Sequence, residues 1–501
     1  MKPETVRRVS TGSHGLDEIL GGGLPREGLY LVMGESGTGK TTLALQFAIE
    51  GALRGEPVVY ITLAETEKAL QGIARSHGWS LDGVVIHELG GVGESRSQDE
   101  QYTLFHPAEI ELGELTRAII ATISQMKAPR VVIDALSELR LLSGHPLRYR
   151  RQILALARIF SAREATVLLL DVDNDDEVGD TQIESLARGV IHLEQLWPEL
   201  GDARRQLRVT KVRGIGFRGG YHDFTIETGG MVTFPRLRTD DLHADFAPET
   251  ASSGVPELDE LLGGGVDRGA IVLVTGPTGS GRSVIATQLA LAAADRGEHV
   301  GIFLFDEMQD AMLARTDGLR MGLREHVHRG RIAMRQIDPG ALSPWRFVRE
   351  VVEVARRDGA RLIIIDSLQG YLQAMLDEHA LDLALHELLN GLSQLGVITV
   401  LTMIRAGILR ERSPAALDIT YLSDTVLLLN LFEADSEIRR SLSVIKRRRG
   451  PHDHTIHELQ IGPNGIHIRG PFHALQGVLT PTPTLLDRAG YPGDIHEPEE
   501  G

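Results

Sequence analysis

Gly34-Glu35-Ser36-Gly37-Thr38-Gly39-Lys40-Thr41 satisfies every fixed position of the pattern G-x-x-x-x-G-K-[ST]. The spelling follows from the chemistry of holding phosphate. Glycines let successive backbone N–H groups converge where a Cβ would clash. A lysine at position 40 can reach the β- and γ-phosphates, and the Thr41 hydroxyl suits Mg²⁺. Leu29-Tyr30-Leu31-Val32-Met33 before the loop reads as a buried strand. Thr42-Leu43-Ala44-Leu45-Gln46-Phe47-Ala48 after it reads as a helix whose N-terminus faces the anion. This order predicts a phosphate-binding loop with Gly34, Ser36, Gly37, Thr38, Gly39, Lys40, Thr41 and Thr42 around ATP. A plain glycine-rich turn is the competing reading.

The stretch recurs. Thr11 to Thr42 aligns without gaps on Ser253 to Val284, with 14 of 32 positions identical. The constant offset of 242 carries Gly34 to Gly276, Asp17 to Asp259 and Glu65 to Glu307. So long a period predicts a duplicated domain rather than a solenoid. The second loop reads Gly276-Pro277-Thr278-Gly279-Ser280-Gly281-Arg282-Ser283, followed by Val284, with arginine in place of the lysine. Expected domains are 1–238 and 251–470, joined by a polar, acidic linker at 239–250 that contains Pro248. Residues 471–501, with repeated prolines and an acidic end, read as an extended or disordered tail.

Each copy alternates strand and helix, as parallel βαβ units do. The first copy's strands are placed at Leu29–Met33, Val58–Leu63, Val131–Ile133 and Thr166–Leu170. Its clearest helix runs from Arg148 to Ala162. Val190–Leu193, Leu207–Lys211 and Tyr221–Ile226 follow without intervening helices and predict an antiparallel extension of the sheet. The fold class is therefore α/β, with two mostly parallel twisted sheets covered by helices on both faces.

An ATP site also needs a carboxylate at a strand end to hold Mg²⁺ through water. Val131-Val132-Ile133-Asp134 and Leu362-Ile363-Ile364-Ile365-Asp366 each supply one, so Thr41 with Asp134, and Ser283 with Asp366, form the expected metal positions. Hydrolysis needs a base. Leu63-Ala64-Glu65 and Phe305-Asp306-Glu307 offer Glu65, Asp306 and Glu307, against the plainer reading of carboxylates that favour a helix N-terminus. A cation aimed at the γ-phosphate would stabilise the transition state. Lys211 with Arg213 and Lys446 with Arg448 are the candidates, each followed by a His-Asp pair, His222-Asp223 and His452-Asp453. The competing reading is a solvated basic turn.

Bulk properties narrow the class. The 501 residues carry a formal net charge of −17, which lowers the expectation of a nucleic-acid partner. The absence of cysteine excludes disulfides and thiol catalysis. Met1 to Arg8 has no apolar run of a signal peptide, and no segment reaches membrane-spanning length, so a cytoplasmic protein without membrane contact is expected. The 19 histidines show no zinc-ligand spacing. Arg148-Tyr149-Arg150-Arg151 reads as a solvated helix face, and Gln101 to Pro107 as a loop bearing two aromatics.

Taken together, these motifs resemble the KaiC family of duplicated RecA-type ATPases. The resemblance runs from about Thr11 to Ile468 and includes Thr11-Gly12, Leu16-Asp17, both Gly-Gly-Gly runs and Ala74-Arg75-Ser76-His77-Gly78-Trp79. It implies a homohexameric ring with nucleotides between subunits, where each K-x-R reaches the neighbour's ATP, and adds Ser76 as a nucleotide contact. It further implies hydrolysis in the first ring and autokinase activity in the second, with a protein signalling partner. Three features depart from the family pattern. The first of two adjacent glutamates is Ala64 in one copy and Asp306 in the other, the lysine is Arg282, and the phospho-acceptor pair is Thr420-Tyr421. Slow ATP hydrolysis by the first domain is therefore expected, with nucleotide binding, slower turnover and transfer to Thr420 open in the second. A nucleotide-gated scaffold without turnover and a DNA-dependent RecA-type ATPase are the alternatives.

Overall fold

The computed structural model describes residues 6–89, 107–125, 129–173, 180–197, 202–238, 242–338, 340, 343–373, 378–404, 419–434, 436–472, 475–476 and 484–485. The chain divides into two compact units, Met1–Arg236 and Leu237–Gly501.

The first unit is built on one nine-stranded sheet. Val84–Glu88, Val58–Thr62, Arg130–Asp134, Thr166–Val172, Gly28–Gly34 and Gly189–Leu196 lie side by side in parallel. Arg204–Val212, Tyr221–Glu227 and Gly230–Phe234 continue it antiparallel. Helices cover both faces, which is why the inner parallel strands carry apolar runs such as Leu29–Met33, Val131–Ile133 and Val167–Leu170. In the strand that enters the loop, Tyr30 and Val32 join one core and Leu29, Leu31 and Met33 the other, following the two-residue alternation of a strand. The loop helix Lys40–Leu53 packs Leu43, Ala44, Phe47 and Ala48 into the first core. On the opposite face, helix Pro146–Ala162 buries Tyr149, Ile153, Leu156 and Phe160. That helix starts at Pro146, and His145 Nδ1 caps it by accepting from Leu147 N at 3.2 Å.

The second unit repeats the architecture. Ile332–Gln336, His299–Leu304, Ala360–Asp366, Ile398–Ile404, Ile271–Gly276 and Thr425–Ala434 are parallel, and Glu437–Arg447, His457–Gly462 and Gly465–Pro471 extend them antiparallel. Among the described residues, no helix is long and apolar enough to cross a membrane.

Four sequence expectations change. Gly189–Leu196 follows a helix, Asp180–Leu186, and pairs in parallel with the loop strand, so the antiparallel extension begins one strand later. Edge strands Val84–Glu88 and Ile332–Gln336 escaped the reading because their mixed polar and apolar residues lack a buried run. Part of the polar segment between the copies is anchored. Leu242 is 1% exposed, a Cβ on Gly391 would lie 2.5 Å from its Cδ1, and Phe246 packs on Gly396. In the C-terminal segment, Pro471 closes a strand by pairing with His457, and Leu475–Gln476 pairs with Thr484–Leu485. Gln101 to His106 lies outside the described residues, and Pro107 opens helix Pro107–Gln125.

Candidate nucleotide sites

The first loop leaves the C-terminal end of its strand and turns into the helix through Gly39, at φ +104°. A Cβ on Gly34 would lie 2.3 Å from Leu193 O, and one on Gly39 would lie 2.6 Å from Ile226 Cδ1. Gly37, at φ +83°, faces open space. A backbone carbonyl thus requires glycine at position 34 and the left-handed turn with the Ile226 side chain favours it at 39, while position 37 leaves room for a ligand. Lys40 Nζ donates to Gly34 O at 2.6 Å and Glu35 O at 2.7 Å, folding over the loop, and Thr38 Oγ1 donates to Glu35 O at 2.9 Å. Burial lowers the Lys40 pKa, while the Asp134, Asp171 and Asp173 carboxylates oppose that shift.

Asp134 ends the adjacent buried strand and accepts from Thr41 Oγ1 at 3.1 Å and from Tyr60 OH at 2.6 Å. Both donors use Oδ2, leaving Oδ1 without a hydrogen bond among the described residues. Burial raises the Asp134 pKa, and these two hydrogen bonds pull it back. The same burial and the Asp134 charge push the Tyr60 phenol well above its ordinary value. Glu65 is fixed by its backbone, with Thr62 Oγ1 donating to Glu65 O at 2.7 Å and accepting from Glu65 N at 3.0 Å. Its side chain is exposed and has no polar partner among the described residues.

In the second unit Arg282 donates to Gly276 O, and to Pro277 O at 2.9 Å, the same two loop positions that hold Lys40. Its Nε is buried without a partner among the described residues, as are Ser280 Oγ and Asp366 Oδ2. Thr402 Oγ1 donates to Asp366 Oδ1, and the Ser283 hydroxyl lies beside the same carboxylate. Burial raises the Asp366 pKa against both hydroxyls. Glu307 differs from Glu65, because Arg315 grips it with Nε at 3.1 Å and an Nη at 2.7 Å. Asp306 accepts from the Ser367 hydroxyl.

These residues fit Mg-ATP. Orphaned buried atoms of both signs, Arg282 Nε as donor and Asp366 Oδ2 as acceptor, suit a phosphate and a cation. Each loop also keeps an open glycine at its tip, Gly37 and Gly279.

A family model described as "ATPase: KaiC" matches residues 9–238 and again 251–471. The chain belongs to the KaiC family. It is 28% identical to the circadian clock oscillator protein KaiC of Acaryochloris marina, over 96% of this chain and 92% of that protein. It is 26% identical to the circadian clock protein KaiC3 of Synechocystis, over 95% of both. Against the circadian clock oscillator protein KaiC of Synechococcus elongatus the identity is 25%, over 96% and 93%.

In this KaiC-family chain the K-x-R residues stand apart from the loop of their own unit. Lys211 pairs with Val190, which pairs with Leu31, three residues before Gly34. That is about 10 Å along the sheet at ~3.3 Å per residue, and two strands across. Lys211 Nζ donates to Glu184 O at 2.6 Å and Arg213 donates to Ser185 O at 2.8 Å. Lys446 and Arg448 do the same to Thr420 O and Tyr421 O, each at 2.8 Å. Both pairs thus sit on the segment before the sixth parallel strand, towards the N-terminal end of the sheet. Thr420 belongs to a short 3₁₀ turn, Ile419–Tyr421, while Ser423 is fully buried. Ser76 closes helix Glu67–Ser76, and its hydroxyl is spent on Ile73 O at 2.7 Å.

The two His-Asp pairs are not counterparts. His222 lies opposite Leu207, and the residue opposite the matching Leu442 is His457, whereas His452 precedes that strand. Equal spelling in a loop and in a strand produced the mismatch. Sequence reading also missed Tyr60, Thr402, Ser367 and Arg315. The last two had a signal, since matching the copies sets Arg315 against Ile73 and Ser367 against Ala135.

Proposed function

We propose that this protein is a KaiC-type ATPase that binds Mg-ATP in both units and hydrolyses it slowly between the subunits of a homohexameric ring. The observation that carries the reading is the separation of each K-x-R from the phosphate loop of its own unit. One chain holds two halves of a site at opposite ends of the sheet, so a head-to-tail neighbour completes it, and such contacts close into rings. Lys40 would hold the phosphates and Thr41 with Asp134 the Mg²⁺, which neutralises charge on the β- and γ-phosphates when bound. Glu65 would orient water in the first unit. In the second, Arg282, Ser283 and Asp366 take the corresponding places, and Thr420, beside Lys446, would face the neighbour's nucleotide as a phospho-acceptor. The names of its relatives support a role in timing or signalling through a partner protein.

The test is ATP turnover by the full chain beside Lys40→Ala, with particle mass followed with and without ATP and phosphate mapped on the Thr420 peptide. ATP-dependent hexamers with turnover that falls in the variant are expected. Nucleotide-independent monomers would end the ring reading, and an unmodified Thr420 peptide would end the autokinase reading. A second reading, a nucleotide-gated scaffold, draws on Ala64 and on the capture of Glu307 by Arg315, which leave each unit one carboxylate short. Rings that form with ATP and never consume it would favour it.

A further inference from the structure

In the first unit a line of polar groups joins the start of the phosphate loop to the anchor of K-x-R. Asp173 N donates to Gly34 O at 3.3 Å, the carbonyl that also receives Lys40 Nζ. At the other end Lys211 Nζ donates to Glu184 O, and the Glu184 carboxylate acts on the Lys211 charge. Between them stands His192, buried in the strand next to the loop strand and paired there with Met33. Its Nδ1 lies 3.6 Å from the Asp173 carboxylate and its Nε2 3.7 Å from that of Glu184. Nδ1 is buried and has no hydrogen bond among the described residues. Arg208 lies opposite His192 on the antiparallel strand, and Glu194 holds its Nε at 3.0 Å. The second unit breaks the line. Leu428 takes the place of His192, since it pairs with Thr275 as His192 pairs with Met33, each one residue before the loop's first glycine. Thr420, whose carbonyl holds Lys446, takes the place of Glu184.

Resting on the reading of the first unit as two halves of nucleotide sites completed by neighbours, we propose that His192 is a positioning residue that couples those halves. An imidazolium has a donor for each carboxylate, whereas the neutral ring has one donor and one acceptor. In its charged form the ring ties Asp173, whose backbone holds Gly34, to Glu184, whose backbone holds Lys211. Lys40 supplies the two-state element that such a coupling needs. It rests on Gly34 O and Glu35 O here, and a phosphate in the loop draws it off. The load on Gly34 O then changes, Asp173 shifts with it, and His192 passes the shift to the segment that aims Lys211 at the next subunit. First-ring turnover is therefore cooperative in ATP. The second unit, with leucine at this place, has no such route.

The experiment uses the full chain carrying Arg282→Ala, so that turnover reports the first unit, with particle mass and bound nucleotide measured alongside. Turnover of this parent rises with ATP with a Hill coefficient of about 2. His192→Leu brings the coefficient to about 1 while hexamers and bound nucleotide persist. Leucine at the matching place of the second unit shows that the fold accepts it. Glu184→Gln, which keeps the carbonyl that holds Lys211, has the same effect, and the two together do no more than either alone. Cooperativity of the parent also fades as pH rises through about 5 to 8, the range in which an imidazole loses its charge, and this dependence is absent from His192→Leu. Hexamers whose parent is not cooperative overturn the proposal, as does a Hill coefficient that His192→Leu leaves unchanged. Additive effects of the two substitutions overturn it too, by separating the two contacts. Should His192→Leu fail to assemble, unchanged cooperativity in Glu184→Gln, whose side chain is 35% exposed, overturns it instead. Monomers in the presence of ATP would end the ring reading and this proposal with it, whereas cooperative hexamers of His192→Leu would end this proposal alone.

Discussion

The two units share a backbone and differ in the side chains around it. Each sends a strand into a glycine-hinged loop, ends a neighbouring strand on a buried aspartate and anchors a K-x-R at the far end of its sheet. The supports differ at every place where chemistry would be tuned. Asp134 leans on Tyr60 from one adjacent strand, where the second unit has Ile302. Asp366 leans on Thr402 from the other, where the first has Leu170. Among the described residues Glu65 has no cationic partner, its helix carrying Ile73 where the second unit has the Arg315 that clamps Glu307. Duplication preserved what the backbone needs to form the cradle and left the ionic partners free to diverge.

Exchanging the loop cations tests this contrast most severely. Lys40→Arg should lower first-unit turnover about 100-fold, since a planar fork places its charge differently from an ammonium, and Arg282→Lys should raise second-unit turnover about tenfold. Single-turnover assays on each variant measure both, and equal rates before and after exchange would mean that the loop cation does not distinguish the units.

Transplanting the clamp comes next. Ile73→Arg should pair with Glu65 as Arg315 pairs with Glu307 and lower first-unit turnover about tenfold, by the cost of freeing a carboxylate held in a charged pair. An unchanged rate in steady-state assays would take Glu65 out of the chemistry.

A smaller effect concerns stability. Burial raises the pKa of Asp134, so the fold binds its proton more tightly than the unfolded chain, and the charged form present near neutral pH weakens the fold. This penalty fades as pH falls through the folded pKa. Asp134→Asn, which can still accept from Tyr60 and Thr41, should raise the nucleotide-free Tm by about 2–4 °C, the shift that about 1 kcal/mol brings in a domain of this size. Calorimetry showing a lower Tm would assign Asp134 a structural role.

The smallest effect lies in the pH dependence of the first unit. His222 Nδ1 accepts from Arg236 N at 2.9 Å and Nε2 faces Arg218 O, and burial lowers its pKa to about 4. The neutral ring's contribution is complete above its ordinary 6.5 and is lost as pH falls from there towards about 4. His222→Asn should flatten the fall in Tm over that window, and a slope that persists would point to other groups.

The order of strands, loop and helix, the duplication and the two aspartate-ended strands were legible in the sequence alone. They rest on short-range rules: apolar alternation, glycine where φ is positive, and fixed loop spacing. Glu307 illustrates the limit of such rules. It aligns with Glu65 residue for residue, and only the helix that brings Arg315 against it separates their chemistry. The same holds for His222, whose counterpart is His457 because sheet register, rather than a shared dipeptide, sets which residues correspond. Tyr60 on Asp134 carried no motif at all, since the contact spans 74 residues and exists only where two parallel strands pair. Local patterns determined the elements and the loop, because the backbone's needs are written within a few residues. Tertiary structure alone decided which carboxylate is free, which is clamped and which end of the sheet holds K-x-R, because charge and hydrogen bonding act through space between distant segments.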